Sequence, residues 1–252
     1  MEVYAIANQK GGVTKTTSTV SLAAALARLG KRVLMVDLDP QASLTEYFIR
    51  PSDLRETVYS LVMTGKRLSP VVLAEQVHLL ATNIELAAAE IQLSTKMGFE
   101  TSLRRGIRQY EKNYDFCLLD CPPTLGVLSR IALVAADRVL IPVACELLAA
   151  RTLELILDHV SEVRGSELNN NLYPWYILPT LYNSREKEDI DTLESIRNIY
   201  GELVYPTPVP RKTDYKKAAR QQVDIYDIDP SLAEIWDELA EKMVQDAKKG
   251  AM

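Results

Sequence analysis

The chain has 252 residues, 47% of them hydrophobic and 25% charged, with a formal net charge of −5. That is an ordinary globular composition, and the length suits one large α/β domain or two small ones. The longest apolar runs fall short of 18 residues, which excludes a membrane-spanning helix, and the basic and apolar regions of a signal peptide are missing at the N-terminus.

The chain opens on an apolar strand, Val3 to Ala7, followed by Asn8-Gln9-Lys10-Gly11-Gly12-Val13-Thr14-Lys15-Thr16-Thr17 and an Ala/Leu-rich helix from Thr16 to Leu29 that ends at Gly30. A glycine pair between a strand and a helix N-terminus is the context of a phosphate-binding loop. Successive backbone N–H groups and the start of the helix make a partial positive site. Gly11, Gly12, Val13, Thr14, Lys15, Thr16 and Thr17 are therefore candidate phosphate contacts. Lys15 is placed to neutralise phosphate charge and Thr16 to offer its hydroxyl to Mg²⁺. The common pattern G-x-x-x-x-G-K-[ST] is not met, because Gln9 and Thr14 occupy its glycine positions. The narrower pattern K-G-G-x-x-K-[ST] fits, with Lys10 as an additional cation.

Further strands are expected at Arg32–Val36, Val77–Leu80, Asp115–Leu119, Arg138–Val143 and Trp175–Pro179. Between them, Leu54, Val58, Leu61 and Val62 recur at helical spacing, as do Ile84, Ala87, Ala88 and Ile91, and then Leu153, Ile156, Leu157 and Val160. Fully apolar strands alternating with helices predict an α/β fold, a mostly parallel twisted sheet with helices on both faces. Residues 1–252 show no composition shift that marks a linker, so a single domain is expected. Near its end, residues 231–249 place Leu232, Ile235, Trp236, Leu239, Met243 and Ala247 at helical spacing, with five acids and three lysines. That balance suits a helix docked on the core better than one lying on an anionic membrane.

Two acidic strand ends should meet the loop. Val33 to Val36 runs into Asp37-Leu38-Asp39-Pro40-Gln41, and Phe116 to Leu119 runs into Asp120-Cys121-Pro122-Pro123. Acids at the C-terminal ends of parallel strands lie on the edge where ligands bind in open α/β sheets. Cys117, Cys121 and Cys145 form no C-x-x-C pair, which suits a reducing cytoplasm, and His78 and His159 are isolated in sequence.

The loop resembles the deviant Walker A box of the ParA/MinD family of ATPases. Asp37 to Gln41 is similar to the family's D-x-D-P-Q segment, and Asp120 to a Walker B acid. Asn83 to Glu90 resembles its N-I-E-L-A helix, and Ala135 to Val143 its A-A-D-x-V-L-I-P-V strand. Thr180 to Asn183 and Val209 to Arg211 stand in the places of T-x-Y-[DN] and [IV]-P-R. The match runs nearly the whole chain and is closer to the ParA branch. It implies a P-loop NTPase of the deviant Walker A class that binds ATP and Mg²⁺ and hydrolyses ATP to ADP and phosphate. Lys10 would reach across a dimer interface to the partner's phosphates, and Lys15 would hold its own. Asp39 would position the attacking water, with Thr16, Asp37, Asp39 and Asp120 around the metal and Pro210 and Arg211 against the adenine. Where this chain has Thr14, ParA-type loops usually carry glycine. Either the loop avoids the left-handed backbone region, or nucleotide affinity and turnover are altered.

From Arg211 to Arg220, five basic residues (Arg211, Lys212, Lys216, Lys217, Arg220) face the single acid Asp214, on an otherwise acidic chain. Such a stripe is the footprint of binding to a phosphate backbone. Asp214 falls where the family's P-R-x-x-R pattern has its second arginine. The resemblance thus implies a homodimer in the ATP state, non-specific DNA and a ParB-like or cargo-adaptor protein as partners, no membrane, and a cytoplasmic, nucleoid-associated site of action. Two related readings stay open: an ATPase positioning a carboxysome or other protein organelle, for which Arg151 offers a second trans cation, and a MinD-like membrane-associated division regulator. A metal-carrier ATPase like the nitrogenase iron protein would need paired interfacial cysteines, whereas Cys117 reads as buried in a strand. A regulator with an N-terminal helix-turn-helix is not expected, since the first strand begins at once.

Overall fold

Strand and helix alternate along the chain as the apolar runs predict. The computed structural model describes residues 1–146 and 148–250. In chain order they form β1 (Glu2–Ile6), α1 (Lys15–Arg28), β2 (Val33–Asp37), α2 (Ser43–Phe48), α3 (Val58–Thr64), β3 (Val71–Ala74), β4 (Val77–Leu80), α4 (Leu86–Ser94) and α5 (Ser102–Arg108). There follow β5 (Phe116–Asp120), α6 (Val127–Ala135), β6 (Arg138–Ala144), α7 (Ala149–Gly165), β7 (Tyr173–Thr180), α8 (Lys187–Tyr200), α9 (Asp214–Gln221) and α10 (Glu234–Gly250). The sheet runs β3-β4-β2-β5-β1-β6-β7. Every neighbouring pair is parallel except β3 with β4.

That exception was not foreseen. β3 is a short edge strand whose residues alternate between half-buried and exposed, so it lacks the continuous apolar run by which the parallel strands are recognised. The parallel strands are buried on both faces and sort their side chains by the two-residue period. Val3 and Ala5 of β1 join the core under α3–α7, while Tyr4 and Ile6 join the core under α1 and α10.

Helix α4 is present but rotated from the expected face. Leu86, Ala89 and Leu93 point inward, whereas Ile84 and Ile91 are 66% and 75% exposed. Both faces of this segment are apolar, and tertiary packing chose the one with two leucines. Leu54 precedes α3 rather than belonging to it, and packs partly buried on the other core. At the C-terminus, Ile235, Trp236, Leu239, Ala240 and Met243 are buried, and α10 lies along α1. Trp236 donates its indole N–H to the Tyr215 hydroxyl at 3.2 Å. Ser231 and Leu232 lie in a 3-10 turn, so the helix starts after them. Among the described residues, no helix is long and apolar enough to cross a membrane.

Strands β2 and β5 each extend one residue beyond the expected end. Their parallel register pairs Asp37 with Asp120, and Leu38 N–H continues the ladder to Asp120 O at 3.0 Å. Two acids are thereby set side by side on the C-terminal edge, next to the end of β1.

Candidate functional site

The loop after β1 is fastened at three points. Asn8 donates its amide to Pro142 O at 2.7 Å and accepts Lys10 N–H at 3.1 Å. Val13 is buried, and its carbonyl accepts the Thr180 hydroxyl at 3.2 Å. Lys15 reaches back to Lys10 O at 3.1 Å. Helix α1 then makes its first backbone bond from Ser18 N–H to Thr14 O at 2.8 Å. The N–H groups of Lys15, Thr16 and Thr17 are left without intrahelical partners, pointing from the positive end of a 14-residue helix.

Gly12 and Thr14 both take left-handed backbone angles, φ 75° and 71°. Gly12 does so freely. For the β-branched Thr14 the conformation costs about 1–3 kcal/mol. Of the two alternatives for Thr14, the loop takes the strained one. Its hydroxyl is also buried without a partner among the described residues.

Thr16 donates its hydroxyl to Asp120 Oδ2 at 2.7 Å, while Asp120 Oδ1 is buried with no partner among the described residues. Burial first, and the neighbouring Asp37 charge second, push the Asp120 carboxyl well above the usual range. Lys15 is only 7% exposed, and burial lowers its pKa against the opposing pull of Asp120. Both buried charges in this corner therefore lack full counter-charge. A divalent cation and a phosphate chain would relieve both the orphaned carboxylate oxygen and the buried ammonium.

Asp37 does not join Thr16 and Asp120. Its Oδ2 accepts Thr45 N–H at 2.8 Å and the Thr45 hydroxyl at 2.7 Å, and its Oδ1 accepts Asp39 N–H at 3.1 Å. Both oxygens are committed to holding α2 and the Asp39 segment, which makes Asp37 a positioning group. Asp39 lines the cavity, with Oδ1 accepting Gln41 N–H at 2.9 Å. Among the described residues no group of three or more His, Cys, Asp or Glu side chains is placed to hold a metal. The donor set suits Mg²⁺, which binds through one or two carboxylates together with phosphate oxygens and water.

A cavity of about 920 Å³ opens over the loop, at the upper end of the usual range for ligand sites, roughly 300–1,000 Å³. Its floor includes Gly11, Gly12, Thr14, Lys15, Thr16 and Thr17, and its far wall Val209, Pro210, Arg211, Lys212 and Lys216. Arg211 is held in that wall by Nε donating to Leu181 O at 3.1 Å and by an ion pair with Asp189 at 3.7 Å. The basic stripe thus divides. Arg211, Lys212 and Lys216 border the cavity, while Lys217 and Arg220 are exposed on α9 and do not line it.

Lys10 is half-buried and pairs with Glu146 of its own chain, a residue just past the end of β6 that also lines the cavity. Glu146 escaped the sequence reading, and Thr180 was named there only as part of the T-x-Y-[DN] motif, with no role at the loop. Both obey the strand-end rule that found Asp39 and Asp120, and that rule was the available signal.

The protein-family model AAA_31, an AAA domain, matches residues 1–173. The chain is 36% identical over 248 residues to the sporulation initiation inhibitor protein Soj of Bacillus subtilis, covering 96% of this chain and 98% of that protein. It is 35% identical over 242 residues to the chromosome-partitioning ATPase Soj of Treponema pallidum, covering 94% of each. A crystal structure described as cobyrinic acid a,c-diamide synthase from Mycobacterium smegmatis, with bound ADP and magnesium, superposes with a TM-score of 0.86 at 36% identity, covering 99% of this chain and 96% of that one. Apo McdA from Cyanothece shares the fold, with a TM-score of 0.87 at 21% identity, covering 97% of this chain and 99% of that one. The loop, the acidic strand ends and these likenesses along nearly the whole chain agree: the chain belongs to the ParA-type partition ATPases of the deviant Walker A class.

Proposed function

We propose that the chain is an ATP-dependent, DNA-binding ATPase that segregates or positions DNA or another large cargo on the nucleoid. The observation that carries the reading is the meeting of Thr16 and Asp120 beneath a loop with two lysines at its opposite ends. The mycobacterial relative, crystallised with ADP and magnesium, supports ATP and Mg²⁺ as the ligands. The Soj relatives support partition as the process.

Lys15 and the free N–H groups at the start of α1 bind the phosphates of the same chain. Thr16 and Asp120 would hold the metal. Mg²⁺ bound with the nucleotide supplies charge neutralisation at the transferred phosphoryl group. Asp39, on the cavity wall, orients the attacking water, and Asp37 fixes the segment that carries it. Pro210 and Arg211 border the adenine. Lys10 lies outside this arrangement on its own chain, and in a face-to-face dimer it reaches the partner's phosphates. A cation supplied in trans is worth roughly 10³–10⁵ in rate in related enzymes, so dimerisation and turnover become one event.

The dimer binds DNA without sequence preference through Lys217 and Arg220, with Lys212 and Lys216 nearer the nucleotide. A ParB-like or cargo-adaptor protein stimulates hydrolysis and releases the dimer. The test is mass by light scattering with and without ATP, alongside ATPase rate and gel shift with and without DNA. A doubled mass and tighter DNA binding in ATP are expected. Equal DNA binding without nucleotide would end the gating part of this reading.

A further inference from the structure

The helix that carries the exposed cations Lys217 and Arg220 also forms part of the wall of the cavity over the loop. Tyr215, Lys216 and Ala219 of α9 line that cavity, and Tyr215 and Ala219, four residues apart, lie on one side of the helix. Among the described residues that line the cavity, Tyr215 is the one with an aromatic ring. It is half-buried rather than sealed off. Its polar end is already engaged. The hydroxyl donates to Leu232 O at 3.2 Å and accepts the indole N–H of Trp236 at 3.2 Å. Burial pushes the phenol up to about 12, so it keeps its proton and makes both bonds at once. Trp236 is fully buried and meets the Tyr215 ring in a T-shaped contact, with planes at 90° and centroids 6.4 Å apart. The ring is thereby held in place, and what it offers the cavity is carbon surface rather than a hydrogen-bonding group.

We propose that the Tyr215 ring stacks on the base of the bound nucleotide. The inference rests on reading the cavity as the ATP site. A nucleobase is a flat π system that binds aromatic side chains whatever the pattern of its edges. The lysines and loop N–H groups answer only the phosphates, whereas Leu181, Val209, Pro210 and Ala219 add apolar surface to the wall that holds the ring. Because Tyr215 belongs to α9, the base touches the helix that presents Lys217 and Arg220 to DNA. Nucleotide occupancy then bears on the DNA-facing cations through a single helix.

Two variants separate the ring from the hydroxyl. Tyr215→Phe and Tyr215→Leu both leave the Trp236 N–H without its acceptor, so that loss of stability is common to them, and only the second removes the ring. Calorimetric titration with ADP and with inorganic pyrophosphate is read beside the ligand-free Tm. Tyr215→Leu is expected to weaken ADP binding about tenfold or more and to bind pyrophosphate as the parent does. Tyr215→Phe should bind both ligands like the parent chain. Parent-like ADP affinity in Tyr215→Leu overturns the proposal. So does an equal loss in Tyr215→Phe, which would assign the effect to the hydroxyl, or a matching loss of pyrophosphate binding in Tyr215→Leu, which would mean a disturbed phosphate loop. On the parent chain itself, nuclear Overhauser contacts between the adenine ring protons and the Tyr215 ring are expected at saturating ADP, and their absence overturns the proposal without any variant. Lys15→Ala is the control for the site: it should weaken both ligands, and if it binds both as the parent does, the ATP-site reading fails and takes the stacking contact with it.

Discussion

The Lys10 ammonium rests on the Glu146 carboxylate of its own chain, and Glu146, like Lys15, lines the cavity over the loop. Both partners are partly exposed, at 32% and 46% of their side-chain surface. Ion pairs in such settings contribute about 0.2–1 kcal/mol. Lys10→Ala should therefore leave Tm within about 2–4 °C of the parent while reducing ATP hydrolysis by roughly 10³-fold or more. Steady-state phosphate release beside a melting curve checks both halves. Unchanged turnover would remove Lys10 from the chemistry.

Lys217 and Arg220 are the exposed basic residues of the stripe that do not line the cavity. Replacing both with alanine should weaken DNA binding in ATP. The dependence of log K on log salt should flatten by about one unit for each phosphate that is no longer neutralised. ATP affinity should stay as it was, because neither residue lines the cavity. Lys216→Ala, on the cavity wall, should change nucleotide affinity as well. Gel shifts across a salt series, with ATP titration of each variant, distinguish the two classes.

Gly106 of α5 packs against α3 with no room for a side chain. A Cβ there would meet Leu61 Cγ at 2.7 Å, and Leu61 is fully buried. Gly106→Ala should destabilise the fold by about 1–3 kcal/mol through overpacking, despite the better helix propensity of alanine. Urea denaturation would show this as a lower midpoint at unchanged slope.

His159 sits buried on α7, with Nε2 unpartnered among the described residues and Nδ1 3.4 Å from Glu162 Oε2. Burial lowers its pKa below 6.5; Glu162 opposes the shift, and Arg130 from α6 adds to it. A base with a depressed folded pKa binds fewer protons folded than unfolded, so its contribution is present above pH 6.5 and lost as pH falls through the folded value. The parent chain should lose thermal stability below about pH 6.5 more steeply than His159→Leu. Parallel slopes for the two proteins between about pH 7 and 5 would show that His159 does not titrate as described.

Much of the site was legible because it lies where local pattern and topology coincide. The parallel strands announce themselves as apolar runs, and the loop and the acids Asp39 and Asp120 follow such runs directly. What escaped depends on distant partners. Asp37 looks equivalent to Asp39 in sequence, and only the approach of Thr45 shows that its oxygens are spoken for. Arg211 and Lys216 look like members of one surface stripe with Lys217, until Leu181 and Asp189 draw Arg211 into the cavity wall. The inward face of α4 could not be chosen from spacing, since Ile84 and Ile91 compete with Leu86 and Leu93 on equal terms. β3 was invisible because a short, half-exposed edge strand has no run to see.

The bond from Thr180 to Val13 spans 167 residues, and the wall from Val209 to Lys216 comes later still. A ribosome must therefore make most of the chain before the loop acquires the anchor that shapes it. The newborn N-terminal half carries Lys10, Lys15, Asp39 and Asp120 but lacks the strand that holds them to their task. Ribosome-stalled chains ending before residue 180 are expected to leave labelled ATP unbound, so that nucleotide capture waits for synthesis to finish.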